Sequence, residues 1–240
     1  MSLYESMIDV ALRPDAVSDA DVAIVIDVLR ATTTVAQALA AGYRRVLCAD
    51  SIERAEALRE PGRVLAGERR SVKPPGFDQG NSPLEARERH GDELVLATTN
   101  GTPAIAAAAR HAETVLIACL LNLDAVVQAT IERMSSPGIR VQVVCSGTNG
   151  AVALEDVYVA GRIGQRLPGP RSDAALVAEA AARAFPTPLE PLSESTDARA
   201  LEAVGMGDDV SFCAQESILK HVPTVVSVSG GVAIVERMAS

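Results

Sequence analysis

Three stretches of the chain repeat one grammar, and that repetition limits what it can fold into more than any other feature. A short run of β-branched and aliphatic residues ends in a polar loop bearing Thr or Gly, and an alanine-rich helical stretch follows. The first copy is VAIVID (Val22 to Asp27), VLRATTT and VAQALAAG; the second is ELVLA (Glu93 to Ala97), TTNGT and PAIAAAAR; the third is RVQVVC (Arg140 to Cys145), SGTNG and AVALEDVYVAGRI. Uninterrupted apolar strands joined to helices of this length predict βα units with right-handed crossovers and a mostly parallel sheet. Plainer units, RRVLCA before SIERAEALRE, RVLA before a loop and TVLIAC before NLDAVVQATIERM, bring the count to six or more strands. Gly42 and Gly138 supply stop signals.

The last seventy residues read differently. PGPRSDAALVAEAAARAF predicts a helix behind a Pro-Gly-Pro linker, PTPLEPLSEST a loop, and VVSVSGGVAIVE two strands joined through Ser-Gly-Gly. The expected fold class is therefore α/β, a mostly parallel sheet with an antiparallel C-terminal edge. Residues 1–240 are expected to form a single domain in which residues 168–240 are a C-terminal helical and hairpin extension. The apolar edge VVSVSGGVAIV could pair with a second copy, which makes a homo-oligomer one expectation.

Composition narrows the partners. With forty alanines, three Phe, three Tyr and no Trp, the core must be built from Val, Ile, Leu and Ala, and no platform exists for stacking bases. A formal charge of -9 and a pI near 4.9 argue against nucleic acid or an anionic membrane as partner, since both need a basic face. The basic set is twenty Arg and two Lys, Lys73 and Lys220; as a set it reads as codon bias, with room for one or two bidentate anion clamps. Cys48, Cys119, Cys145 and Cys213 sit in or beside apolar runs without a CxxC pair, as buried free thiols of a reducing compartment do. The start, MSLYESMIDVALRPD, lacks the pattern of a signal peptide, and no segment reaches the ~18 apolar residues of a membrane span. A cytoplasmic location is expected.

Ligands of open parallel sheets bind beyond the carboxyl ends of the strands, where all three polar loops fall. Thr32, Thr33 and Thr34, then Thr98, Thr99 and Thr102, then Ser146 and Thr148 offer hydroxyls beside helix N-termini. One such loop is ordinary capping; three on one sheet edge favour a bound anion. Asp27 closes the first strand, where a carboxylate can hold Mg2+ or cap the loop, and Arg30 follows, as an anion clamp or a surface ion pair. The segment AGERRSVKPPGFDQGNSP (Ala66 to Pro83) carries Glu68, Arg69, Arg70, Lys73, Asp78, Asn81 and Ser82 on a Pro/Gly frame, together with Phe77. Varied loops of this length are usually functional. Glu155 and Asp156 stand in a helix expected to begin near Asn149; neighbours diverge by about 100° around a helix, so at most one should face the site.

Absences narrow the chemistry. There is no Walker A sequence and no GxGxxG. Cys145 is followed by SGTNGA rather than by a loop ending in Arg, and Asp27 has Leu29, not a second Asp, two positions on. His90, His111 and His221 are scattered outside the polar loops, against a zinc site. An oxygen-ligand site suited to Mg2+ and a polyanion remains.

As a set, IDVLRATTT (Ile26 to Thr34), AGER (Ala66 to Arg69), GFDQGNSP (Gly76 to Pro83), TTNGT (Thr98 to Thr102) and LEDVYVAG (Leu154 to Gly161) resemble the 2-phosphosulfolactate phosphatase family, enzymes associated with coenzyme M biosynthesis. DDVSFCAQ (Asp208 to Gln215) and the later Val222-Pro223 also fit. Ser146, where alanine is expected, and STDARALEAVG (Ser195 to Gly205) depart from the pattern. The resemblance implies a three-layer α/β/α protein that hydrolyses 2-phospho-3-sulfolactate to 3-sulfolactate and phosphate with Mg2+. On that footing Asp27, Arg30 and Asp78 are expected to be catalytic. Mg2+ goes to Asp27 and Asp78, with Glu155 and Asp156 as helpers. The anionic substrate goes to Thr32, Thr33, Glu68, Arg69, Asn81, Ser82, Thr99, Asn100 and Thr148. Replacing Asp27 or Asp78 by Asn is expected to remove most Mg2+-dependent turnover. The alternatives are a phosphatase of another small phosphorylated hydroxy acid and a non-catalytic anion-binding protein; the acidic set Asp27, Asp78, Glu155 and Asp156 counts against the second.

Overall fold

The computed structural model describes residues 7–238. In chain order its elements are β1 (Ile8–Ala11), β2 (Ala20–Ile26), α1 (Ala31–Ala41), β3 (Arg45–Ala49), α2 (Ile52–Ala57), β4 (Arg63–Gly67), α3 (Pro83–Ala86), β5 (Glu93–Ala97) and α4 (Gly101–Ala108). There follow β6 (Ala112–Ala118), α5 (Leu123–Arg133), β7 (Val141–Cys145), α6 (Leu154–Gly164), α7 (Asp173–Ala184), α8 (Leu189–Glu194), α9 (Thr196–Ala203), α10 (Gly207–Cys213), β8 (Pro223–Ser229) and β9 (Val232–Arg237). All strands join one sheet in the order β1-β7-β2-β6-β8-β9-β3-β5-β4.

The expected βα units are all present, and β5 and β3 to β4 form where their aliphatic runs predict. Strands buried on both faces need apolar residues at every position, and β2 shows why: Ile24 and Ile26 join one core with α5, α6 and α7, while Ala23 and Val25 join another with α1 and α4. That second core also takes Val46 of β3, Leu94 and Leu96 of β5 and Ala233 and Val235 of β9. Helices α1 and α4 are thus enclosed by both halves of the sheet. On the far side of β3, β5 and β4, α2 closes a smaller core with Leu47, Leu65 and Val95. The alanine content is used where helices meet. A Cβ on Gly161 of α6 would overlap the carbonyl of Ala178 in α7, so these helices pack nearly backbone to backbone.

The C-terminal hairpin is antiparallel, as its Ser-Gly-Gly turn predicts, and the strand order puts it inside the sheet. β8 pairs β6 at Leu116 and Thr224, and β9 pairs β3 from Val46–Val235 to Ala49–Val232, all antiparallel. The hairpin therefore couples two parallel blocks, β1-β7-β2-β6 and β3-β5-β4. Three successive antiparallel steps reverse the direction of one block relative to the other along the ladder. The right-handed twist accumulated over nine strands nonetheless lets the carboxyl ends of β2, β4, β5 and β7 border one cleft.

Four expectations change. PTPLEPLSEST is not a loop: it contains α8 and begins α9, whose Ser195 hydroxyl accepts the Ala198 N–H at 3.0 Å. Leu192, Ala198 and Leu201 are buried, so tertiary packing overrides a Pro- and Ser-rich sequence. The third helix starts at Leu154 rather than near Asn149, because Asn149 and Gly150 adopt positive φ in a turn closed by reciprocal Thr148 and Ala151 hydrogen bonds. β1, which had not been anticipated, flanks β7. Phe77 does not serve the long loop's chemistry; it is buried against Leu65 and Val95. All four cysteines are free and buried, and among the described residues no helix is long and apolar enough to cross a membrane.

Candidate active site

A cleft of about 250 Å³ opens where the loops after β2, β4, β5 and β7 meet α9. Asp27, Arg30, Glu68, Asn81, Thr99, Asn100 and Thr148, all expected at the site, line it together with Arg70, Ser71, Asn149, Thr196 and Asp197.

Asp27 follows directly on β2. Its Oδ1 accepts the Ala31 N–H at the start of α1 at 3.0 Å, and among the described residues its Oδ2 takes no hydrogen bond. Burial pushes its carboxyl up to about 7; the Ala31 N–H and Arg30 oppose the shift, and Asp197 and Glu68 add to it. Thr32 and Thr33 are buried and do not line the cleft. Thr32 Oγ1 donates to the Asp27 carbonyl at 2.8 Å and accepts the Asp27 N–H at 3.0 Å, and Thr33 Oγ1 donates to the Val28 carbonyl at 2.8 Å. Both hydroxyls shape the loop that presents Asp27.

Three of the candidate acids are occupied in the same way. Asp156 accepts the Val28 N–H and the Gly147 N–H, each at 3.0 Å, and so ties the loops after β2 and β7 together. Glu68 accepts the Thr99 N–H at 2.6 Å and the Ser71 N–H at 3.0 Å, tying the loops after β4 and β5. Asp78 lies away from the cleft: its carboxylate accepts the Leu65 N–H at 2.8 Å and stands 3.8 Å from Arg59. Arg69 also points elsewhere, lining a separate surface hollow with Val72 and Lys73. Asn100 Oδ1 accepts the Asn149 N–H at 3.2 Å, bridging the loops after β5 and β7.

Glu155 and Asp156 both turn inward, against the one-face expectation, because they sit in the first turn of α6 where loop groups approach from two sides. Glu155 is 1 % exposed and its Oε2 has no partner. Its carboxyl faces that of Asp197, which accepts the Thr148 hydroxyl at 2.6 Å. Burial, then Asp197 and Asp27, push Glu155 up to about 8; burial also raises Asp197, and raises Asp156 together with Glu155 and Asp27.

Arg30 is 3 % exposed and its Nη1 lies 2.5 Å from Asp209, itself 1 % exposed. Ser82 donates to the other Asp209 oxygen at 2.7 Å and accepts the Glu85 N–H, so Ser82 supports the site from behind rather than lining it. Removing one partner of a buried pair like this costs about 3–5 kcal/mol. Asn81 Oδ1 is buried without a partner beside the cleft.

Asp197 and Asp209 were not singled out from the sequence. Asp197 follows directly on the segment expected to be a loop and stands at no strand end, and Asp209 is marked only by its place in DDVSFCAQ. Among the described residues no three His, Cys, Asp or Glu side chains stand ready to enclose a metal. Mg2+ asks less, because it is commonly held by one or two carboxylates with waters and substrate oxygens. Asp27 Oδ2, unpartnered in an acidic cluster whose members raise one another, fits that mode.

Fold and site define an α/β protein with an oxygen-lined, acid-rich cleft at the strand ends, of a size for a small polar molecule. The family model for 2-phosphosulpholactate phosphatase matches residues 9–227. Similar proteins include a probable 2-phosphosulfolactate phosphatase of Thermus thermophilus, 42% identical over 90% of this chain and 93% of its own. Another, from Thermotoga petrophila, is 40% identical over 92% and 96%. A 2-phosphosulfolactate phosphatase of Methanothermobacter thermautotrophicus is 36% identical over 83% and 84%. The chain belongs to the 2-phosphosulfolactate phosphatase family.

Proposed function

We propose that this chain hydrolyses 2-phospho-3-sulfolactate to 3-sulfolactate and phosphate, with Mg2+ held at Asp27. The observation that carries the reading is the charge of the cleft. Asp27, Glu68 and Asp197 border it against Arg30 and Arg70, Asp209 offsets Arg30, and Glu155 lies behind Asp197. A substrate bearing phosphate, sulfonate and carboxylate cannot settle on so acidic a surface without a cation. Mg2+, held at Asp27, would supply that charge and would offset the charge of the phosphoryl oxygens.

The chain's own residues position and hold protons. The Thr99 hydroxyl, the Asn100 N–H and the side-chain amides of Asn81 and Asn100, at the wall of the cleft, orient the anionic groups. Glu155 and Asp197 face each other and hold a proton between them, available to the ester oxygen as the bond to phosphorus breaks. Asp156, Glu68, Thr32 and Thr33 fix the loops so that this arrangement exists before substrate arrives.

The test is phosphate release from 2-phosphosulfolactate, phospholactate and phosphoglycerate, each with Mg2+ and with a chelator. Phosphosulfolactate should be the fastest and the chelator should stop it. A faster rate on phospholactate or phosphoglycerate would replace the substrate with another phosphorylated hydroxy acid. Tight 3-sulfolactate binding with no phosphate release at any Mg2+ concentration would leave an anion-binding protein.

A further inference from the structure

Arg30 borders the cleft, yet almost none of its surface is exposed and its guanidinium is held from two elements besides its own loop. Asp209 of α10 takes Nη1 at 2.5 Å, the carbonyl of Ser71 in the loop after β4 takes Nη2 at 3.4 Å, and the backbone of Arg30 itself precedes α1. Asp209 is in turn fixed by the Ser82 hydroxyl at 2.7 Å, which the same oxygen's role as N-cap of α3 holds in place. A long, flexible cation is thereby reduced to one orientation before any ligand binds, at the wall of the cleft that it shares with Ser71 and Asn81.

We propose that Asp209, backed by Ser82, is a positioning residue that aims Arg30 at the non-transferred anionic end of the substrate. Two arguments choose that end. The groups suited to the transferring phosphoryl, Asp27 Oδ2 and the Glu155–Asp197 pair, belong to the loop after β2, to the first turn of α6 and to α9, whereas every partner of the Arg30 guanidinium belongs to α10 or to the loop after β4. An arginine already paired to a buried carboxylate also keeps its fork geometry but little net charge. That suits recognition of a permanent anion by shape and direction better than compensation of charge that develops during phosphoryl transfer.

This inference rests on the phosphatase reading above, and its test separates the two. The full-length protein with Mg2+ is compared with Asp209→Asn, which keeps volume but loses charge, and with Ser82→Ala. For 2-phosphosulfolactate, Asp209→Asn should raise KM on the order of tenfold while kcat stays within about twofold, the pattern of lost uniform binding. Calorimetry should show 3-sulfolactate binding weakened on the order of tenfold and inorganic phosphate binding unchanged. A merely structural role would lower the melting temperature without that split. An unchanged KM in folded Asp209→Asn, a fall in kcat alone, or equal weakening of phosphate and sulfolactate would each overturn the proposal. If Asp209→Asn does not fold, Ser82→Ala decides it, with about a threefold rise in KM expected and none overturning it. If the wild type releases no phosphate, the phosphatase reading fails, and sulfolactate affinity in the two proteins still decides whether Asp209 aims Arg30.

Discussion

Asp27 and Gly101 approach so closely that a β-carbon on the glycine would stand 2.6 Å from Asp27 Oδ2. The same atom would also overlap the methyl group of Ala31. The first residue of α4 therefore has to be glycine for the unpartnered oxygen of Asp27 to keep its place beside α1. Gly101→Ala is expected to displace the Asp27 carboxylate, to lower phosphate release on the order of a hundredfold, and to cost about 1–3 kcal/mol of stability through overpacking. Steady-state kinetics beside thermal melts check it; near wild-type turnover would show that Asp27 Oδ2 has no part in the reaction.

Asp27 and Asp78, equal candidates by sequence, separate in the structure. Asp27→Asn should abolish most turnover and most Mg2+ binding by calorimetry. Asp78→Asn should leave turnover within a few-fold and cost about 1 kcal/mol, since it weakens only the hydrogen bond to Leu65 N–H and an exposed ion pair with Arg59. Equal loss in both variants would restore Asp78 to the site.

Asp197→Asn separates proton supply from metal binding. With the partner of Glu155 altered, kcat should fall on the order of tenfold to a hundredfold, while the Mg2+ concentration giving half-maximal rate shifts little. A large rise in that concentration would instead make Asp197 a ligand.

The buried acids make the metal-free protein sensitive to pH in the opposite sense to most carboxylates. Asp27 is raised to about 7 and Glu155 to about 8, so between the ordinary carboxylate range and neutrality the folded state binds more protons than the unfolded one. Stability contributed by the protonated forms is complete at pH 4 and is lost as pH rises through 7 and 8. In a chelator, the melting temperature should fall from pH 5 to pH 8 by an amount worth on the order of a few kcal/mol, and Mg2+ should remove most of the fall. A flat profile in chelator would contradict the raised values.

How much of this was legible in the sequence depends on whether the information was local. β2, β5 and β7 could be read because each is an uninterrupted aliphatic run next to a turn, and Asp27, Thr99, Asn100 and Thr148 followed because strand ends are where ligands bind. The tasks of Thr32, Thr33, Glu68 and Asp156 could not be read, because a hydroxyl or carboxylate that braces a loop has the same sequence appearance as one that binds a ligand. α8 was hidden by a Pro- and Ser-rich composition that favours a loop in isolation, and Asp197 in α9, just beyond it, stands at no strand end. The hairpin was legible as a hairpin, but its neighbours are chosen by residues more than a hundred positions away.

That choice of neighbours has a consequence for how the molecule comes into being. Every strand of both parallel blocks is made before Pro223, yet the seam between the blocks consists of residues 223–237. A chain growing from its N-terminus therefore carries two incomplete half-sheets, each with an open flank at β6 or β3, until its last strands arrive. The cleft draws on loops of both halves, so its walls come together only where the hairpin joins them.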